Sequence, residues 1–257
     1  IVLGRNLFMR SESVRDDFLK GLKDSMPIGL GYLSVSFSFG IMAVSSGLSV
    51  LSAVLISLTN LTSAGQVAGI AVIVGGGGYI EMALTQLIIN SRYALMSLSL
   101  SQKLDKSFTP LSRLLVSYGI TDEIFAVAAG NKKEVSKHYM AGLIICPTIC
   151  WTLGTLMGAV AGEILPTSLK AALGIAIYGM FIAIFVPAVR KSLGVLVTVA
   201  IAVVISCCIK YIPIFSGISQ GFSIIIATLI AAVIGALVFP VKFTESDEDK
   251  AVEVNDS

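Results

Sequence analysis

The chain has 257 residues, of which 55% are hydrophobic and 13% charged, with a formal net charge of +2. Soluble domains carry about 25% charged residues, and the mean hydropathy here is +0.90, so a soluble enzyme or a nucleic-acid binder with a basic face is excluded. Apolar runs of about 20 residues separated by short polar breaks define an all-α, polytopic integral membrane helix bundle.

The N-terminal stretch 1–24 mixes Arg5, Arg10, Arg15, Lys20 and Lys23 with Glu12, Asp16, Asp17 and Asp24, which is not the pattern of a cleavable signal peptide. Candidate spans follow at 27–46, 52–74, 79–101, 140–162, 171–189, 193–210 and 214–239, within a transmembrane region of 25–240. The breaks "SSGLSV", "VGGGGYIE", "GEILPTS", "VRKSLG" and "KYIPIFSG" carry turn residues. The acidic tail 241–257, "VKFTESDEDKAVEVNDS", reads as disordered cytoplasmic chain.

Residues 102–138 admit three readings: an interfacial helix, a half-helix dipping into the membrane, or a polar eighth span. Basic residues favour the cytoplasmic side. A crossing at about 112–130 would put Lys132, Lys133, Lys137, Arg190, Lys191 and Lys242 on the side of the N-terminus. Eight embedded segments with both termini inside are therefore favoured over seven. An internal repeat is also expected, pairing the Pro27 span and the interrupted "TNLTSAGQVAG" with the Pro147 span and "IYGMFIAIFVP".

The chemistry-bearing residues form three clusters. The first is "SLTNLTSAGQVAG" at 57–69, where Ser63, Gly65 and Gln66 mark either a helix break or a tightly packed helix contact. A break would aim backbone N–H groups at a substrate carboxylate. The second is "NSRY" at 90–93. Arg92 shares a helix face with Glu81 but lies about 16.5 Å from it along the axis. Its partner must come from another helix, unless it snorkels to an interface. Gln86 and Asn90 occupy a different face, so this span is polar on more than one side. The third is "GITDEIF", in which Asp122 and Glu123 are either counter-charges for Arg92 and proton carriers, or the cap of a solvated helix. Cys146, Cys150, Cys207 and Cys208 all lie in apolar spans and read as small buried hydrophobes. With one histidine and no nucleotide or metal motif, no enzymatic activity, cofactor or metal is expected.

The ordered set "PIGLGYLSVSFSFGIMAVSSGLS" (27–49), "SAGQ" (63–66), "NSRY" (90–93), "TDE" (121–123) and "WTLGTLMGAVAG" (151–162) resembles the AzlC family, the large subunits of branched-chain amino acid permeases linked to azaleucine resistance. The similarity runs from about Phe18 to Ala236. It implies a plasma-membrane secondary transporter subunit that exports branched-chain and related hydrophobic amino acids on the proton or electrical gradient. It also implies a small AzlD-type membrane partner. Carried onto this chain, it singles out Gly65, Gln66, Asn90, Arg92, Asp122 and Glu123; in the transporter reading Ser63, Gly65, Gln66 and Asn90 bind substrate, and Arg92, Asp122 and Glu123 serve coupling. The family often has histidine after the arginine where this chain has Tyr93, which removes a proton relay from that position. The competing classes are a non-transporting membrane scaffold, in which the polar clusters serve only packing, and a channel for small solutes.

Overall fold

A computed structural model describes residues 2–240; the tail expected at 241–257 lies outside the described residues. The chain divides into two compact units, Ile1–Ile182 and Ala183–Ser257. It is helical, and among the described residues the one β-type pairing is an isolated bridge between Leu104 and Val135.

The frame of the first unit is a helix pair. Helix α1 (Val2–Ser45) runs unbroken through the boundary expected at 24/25, and α7 (Lys137–Ile164) packs along it. Glycines bring the two backbones together: a Cβ on Gly142 would strike the Phe18 carbonyl, one on Gly154 the Leu33 carbonyl, and one on Gly158 the Phe37 carbonyl. Such close approach by small residues is how membrane helices gain packing energy when burial from water contributes little. The matched positions advance together, so α1 and α7 are parallel. Polar contacts fix one end of the pair: Ser136 Oγ donates to Asp17 (2.6 Å) and Tyr139 OH to Asp24 (2.9 Å).

A third long helix, α4 (Tyr79–Ser101), runs the other way. Its Leu100 is buried with Tyr139 and Met140 near the start of α7. Around these three helices fold two helical hairpins that enter from opposite ends. The first is α2 (Val50–Thr59) and α3 (Ser63–Val74), joined by Asn60, Leu61 and Thr62. On α2, Ala53 shares a cluster with Ala43 and Ala159, and Ser57 meets Thr155, so α2 descends along α7. On α3, Gln66 meets Trp151, Ile70 rejoins the Phe39–Ala159 cluster, and Gly69 faces Met82 and Gln86 of α4. The chain has turned back.

The second hairpin is α5 (Pro110–Tyr118) and α6 (Asp122–Ala129), joined by Gly119, Ile120 and Thr121. Both its ends lie where α4 finishes and α7 begins. Ser107 Oγ accepts from the Lys137 amide (3.1 Å), and Lys103 Nζ donates to the carbonyls of Ala129 (2.5 Å) and Asn131 (2.9 Å), satisfying the C-terminus of α6.

Two expectations change accordingly. The segment 52–74 is not a crossing, and neither is 112–130: each is a re-entrant hairpin. The reason is length. At 1.5 Å per residue, arms of 10, 12, 9 and 8 residues are about 12–18 Å long, half of a hydrocarbon core of about 30 Å. Irregular backbone at that depth survives only when buried in protein. The internal repeat also shifts: the counterpart of the 60–62 break is 119–121, while "IYGMFIAIFVP" runs inside α9 (Ala176–Lys191). Folding back places Arg15, Lys20, Lys23, Lys103, Lys106, Lys132, Lys133 and Lys137 at one end of this unit. The turns at the other end, 46–49 and 75–78, carry no charge.

Helix α8 (Thr167–Gly174) follows α7 and packs against α1. In the second unit α10 (Leu193–Tyr211) and α11 (Gln220–Val238) form an antiparallel pair, Gly194 facing Phe239 and Gly235 facing Thr198. Among the described residues, four helical stretches are long and apolar enough to cross a membrane: Val14–Ser45, Lys137–Ile164, Leu193–Tyr211 and Gln220–Val238.

Candidate functional site

The two hairpin tips meet halfway along the α1–α7 pair. Each second arm begins at its tip with a threonine cap: Thr62 Oγ1 accepts from the Gly65 amide (3.3 Å) and Thr121 Oγ1 from the Ile124 amide (3.4 Å). The N-termini of α3 and α6 therefore both start in the interior, each carrying the partial positive charge of a helix N-terminus. Tyr118 OH donates to the Leu58 carbonyl and ties one tip to the other. A pocket of about 140 Å³ lies between them, lined by Thr59, Asn60 and Thr62 of the first hairpin, Ser117 and Tyr118 of the second, and Asn90 and Tyr93 of α4.

Two polar chains support the tips. In one, Gln66, only 1% exposed, donates to Ser57 Oγ (3.0 Å) and accepts from Trp151 Nε1 (3.1 Å), while Ser57 shares a hydrogen bond with Thr155 (2.7 Å). Gln66 is thus engaged at both ends of its amide as a brace for the first tip. In the other chain, Tyr32 OH lies 2.6 Å from both Thr121 Oγ1 and Glu123 Oε2. With one proton to give, Tyr32 donates to the carboxylate and accepts from the threonine hydroxyl. Trp151 sits edge-on to Tyr32 with ring centroids 5.2 Å apart, and so touches the supports of both tips.

Arg92 Nη1 pairs with Asp122 Oδ2 at 2.6 Å, each side chain 44% exposed. The guanidinium also lies over the Tyr93 ring, 4.9 Å from its centroid. Asp122 and Glu123 are adjacent in sequence but separate in space, one held by Arg92 and the other by Tyr32. Asn90 Nδ2 donates to Gln86 Oε1 (3.2 Å), and Gln86 Nε2 donates to the Gly65 carbonyl (2.8 Å). Asn90 Oδ1 is buried without a hydrogen-bond partner. Ser63 opens α3 and is partly buried. The structure therefore brings Asn90, Arg92, Asp122 and the tips together, while Gly65 and Gln66 hold the first tip and also line a pocket between the first hairpin and α4.

Sequence reasoning passed over Tyr32, Ser57, Tyr118, Trp151 and Thr155. A signal existed for the central pair: the glycines at 154, 158 and 162 demand a close helix neighbour, and alignment with α1 sets Trp151 beside Tyr32. Among the described residues no three His, Cys, Asp or Glu side chains gather as for a metal. A larger hollow of about 440 Å³, lined by Lys210 and several serines, belongs to the second unit, and none of the candidate residues reaches it.

Long apolar helices, half-membrane hairpins and buried polar supports define a polytopic integral membrane protein with paired re-entrant elements. The chain belongs to the AzlC family: the AzlC protein family matches residues 27–165, which contain every residue of the site just described and end with α7. The chain is similar to the inner membrane protein YgaZ of Escherichia coli, 30% identical over 141 residues, 53% of this chain and 58% of that one. An uncharacterized membrane protein of Archaeoglobus fulgidus is 31% identical over 146 residues, 57% and 63% of the two chains. One from Helicobacter pylori is 29% identical over 115 residues, 43% and 50%. The match thus spans about three fifths of the first two relatives, 58% and 63%. No solved structure matches the chain.

Proposed function

We propose that this chain is a secondary transporter subunit that exports branched-chain and related hydrophobic amino acids across the cell membrane, together with a small AzlD-type membrane subunit. The observation that carries this reading is the pocket lined by the tips of two hairpins entering from opposite ends. A site at mid-depth between discontinuous helices is the common design of secondary transporters, because each hairpin then forms a barrier toward its own side. Asn90 Oδ1, buried and unsatisfied, supplies an acceptor for the α-ammonium group. The Arg92–Asp122 pair, with Arg92 lying over the Tyr93 ring that lines the pocket, supplies a charge that can respond to protonation, and Asp122 and Glu123 are the coupling groups. The end bearing Arg15, Lys20, Lys23 and the lysines of 103–137 faces the cytoplasm by the positive-inside rule.

The test is uptake of labelled leucine by proteoliposomes holding the chain with and without the small subunit, under an imposed pH gradient. Flux requiring both subunits, and lost in Arg92→Ala although the complex assembles, supports the reading. Well-folded complex that moves no hydrophobic amino acid overturns it. A complex whose assembly fails in Gln66 and Arg92 variants while the flux per assembled complex stays unchanged points to a scaffold instead.

A further inference from the structure

A second pocket, of about 220 Å³, lies between the first hairpin and α4, and Thr59 and Asn60 line both it and the pocket between the tips. The two differ in chemistry. The tip pocket is edged by hydroxyls and amides together with Leu61 and Ile120. The second is walled mainly by Ile56, Ile70, Ile73 and Met82, with Gly65 and Gly69 in its lining and Gln66 and Gln86 as its amides. A pocket of mixed polarity that shares Thr59 and Asn60 with a mostly apolar neighbour matches a zwitterion carrying an aliphatic side chain.

Resting on the transport reading above, we propose that the apolar chamber is the side-chain subsite of the transported amino acid and that Gly69 sets its depth. The α-ammonium and carboxylate remain in the tip pocket beside Asn90, and the aliphatic group passes Thr59 and Asn60 to lie against Ile70, Ile73 and Met82. Gly69 is the adjustable position because of its surroundings. A Cβ there would sit 3.4 Å from Gln86 Nε2 and 3.8 Å from Met82 Sδ, ordinary contact distances, so alanine fits without moving α4 and occupies chamber volume. Gly65, one turn earlier, is different. A Cβ there would meet Gln86 Oε1 at 2.5 Å and Thr62 Cγ2 at 2.8 Å, so this glycine serves the packing of the tip.

One methyl in an apolar pocket changes discrimination between substrates by about 10–200-fold. The experiment measures how unlabelled valine, leucine and methionine compete with labelled leucine uptake, in proteoliposomes of the assembled complex. Gly69→Ala is expected to move the preference toward valine and away from methionine by about tenfold. Ile73→Ala, which enlarges the chamber, is expected to move it the opposite way. Size-exclusion profiles matching wild type establish folding for both, and either variant alone decides the sign. If wild type transports leucine and both variants keep its competition ratios, the subsite is wrong and the transport reading stands. If the folded wild-type complex transports none of the three, both fall together.

Discussion

The two hairpins have the same plan and opposite chemistry. Each has arms too short to cross a membrane, a three-residue tip (Asn60–Thr62, Gly119–Thr121), and a threonine capping the returning helix. The first turn of α3 is Ser63, Ala64, Gly65 and Gln66, uncharged, and Gly65 lets Gln86 of α4 approach its backbone. The first turn of α6 begins Asp122–Glu123, carboxylates placed where a helix N-terminus favours negative charge. One tip is neutral and closely packed on α4, and the other is built to hold charge. Substitutions that preserve shape but exchange chemistry should therefore act differently on the two.

The largest difference is expected in energy coupling. Replacing both carboxylates, Asp122→Asn with Glu123→Gln, should lower pH-driven leucine transport by roughly 5–150-fold, the range of a coupling free energy of about 1–3 kcal/mol. Exchange of leucine without a gradient should persist. In the first hairpin Asn60→Ala should depress both assays alike, because it edges the pocket and carries no titratable group. Equal losses in both assays for the carboxylate variant would remove the distinction between the tips.

A smaller effect concerns the supports. Tyr32→Phe removes the donor to a carboxylate, where hydrogen bonds contribute about 1.5–3 kcal/mol, whereas Trp151→Phe removes one to a neutral amide, about 0.5–1.5 kcal/mol. Thermal unfolding in detergent should rank Tyr32→Phe as the more damaging. A reversed order would mean that packing of the indole outweighs its hydrogen bond. Smaller still are the caps. Thr62→Ala and Thr121→Ala each lose an N-cap contribution of about 0.5–2 kcal/mol, with Thr121→Ala costing more because its hydroxyl also serves Tyr32. Identical costs would show that the second contact adds nothing.

Much of this was legible in the sequence, and the part that was not has a definite cause. Long helices follow from apolar runs, and α4 spans the 79–101 read from hydropathy. The break near Ser63 shows as polar residues in an apolar run. The fold-back does not show: two half-helices joined by three residues have the same periodicity whether they continue or reverse. Only contacts remote in sequence, Lys103 with Ala129 and Ser107 with Lys137, decide it. The same blindness reached the site. Gln66 shows in sequence as a polar residue at membrane depth, but its bracing partners Ser57 and Trp151, 9 and 85 positions away, do not. Tyr32, flanked by Gly31 and Leu33, does not stand out in sequence because its partners Thr121 and Glu123 are 89 and 91 positions away.

The smallest effect is the most informative about Arg92. Breaking a fully buried ion pair costs several kcal/mol, but here each side chain is 44% exposed, and exposed pairs contribute only about 0.2–1 kcal/mol. A double-mutant cycle of Arg92→Ala and Asp122→Ala, read by thermal unfolding, should give a coupling within that range. The same cycle read by transport should give a larger coupling, because the pair is then acting on the equilibrium between transport states and not merely on folding. Coupling of several kcal/mol in the unfolding cycle would mean that the small subunit or lipid closes over the pair and removes it from water. No coupling in transport would make Arg92 a neighbour of the second tip without a part in its charge chemistry, leaving Glu123, held by Tyr32, as the group that distinguishes the two hairpins.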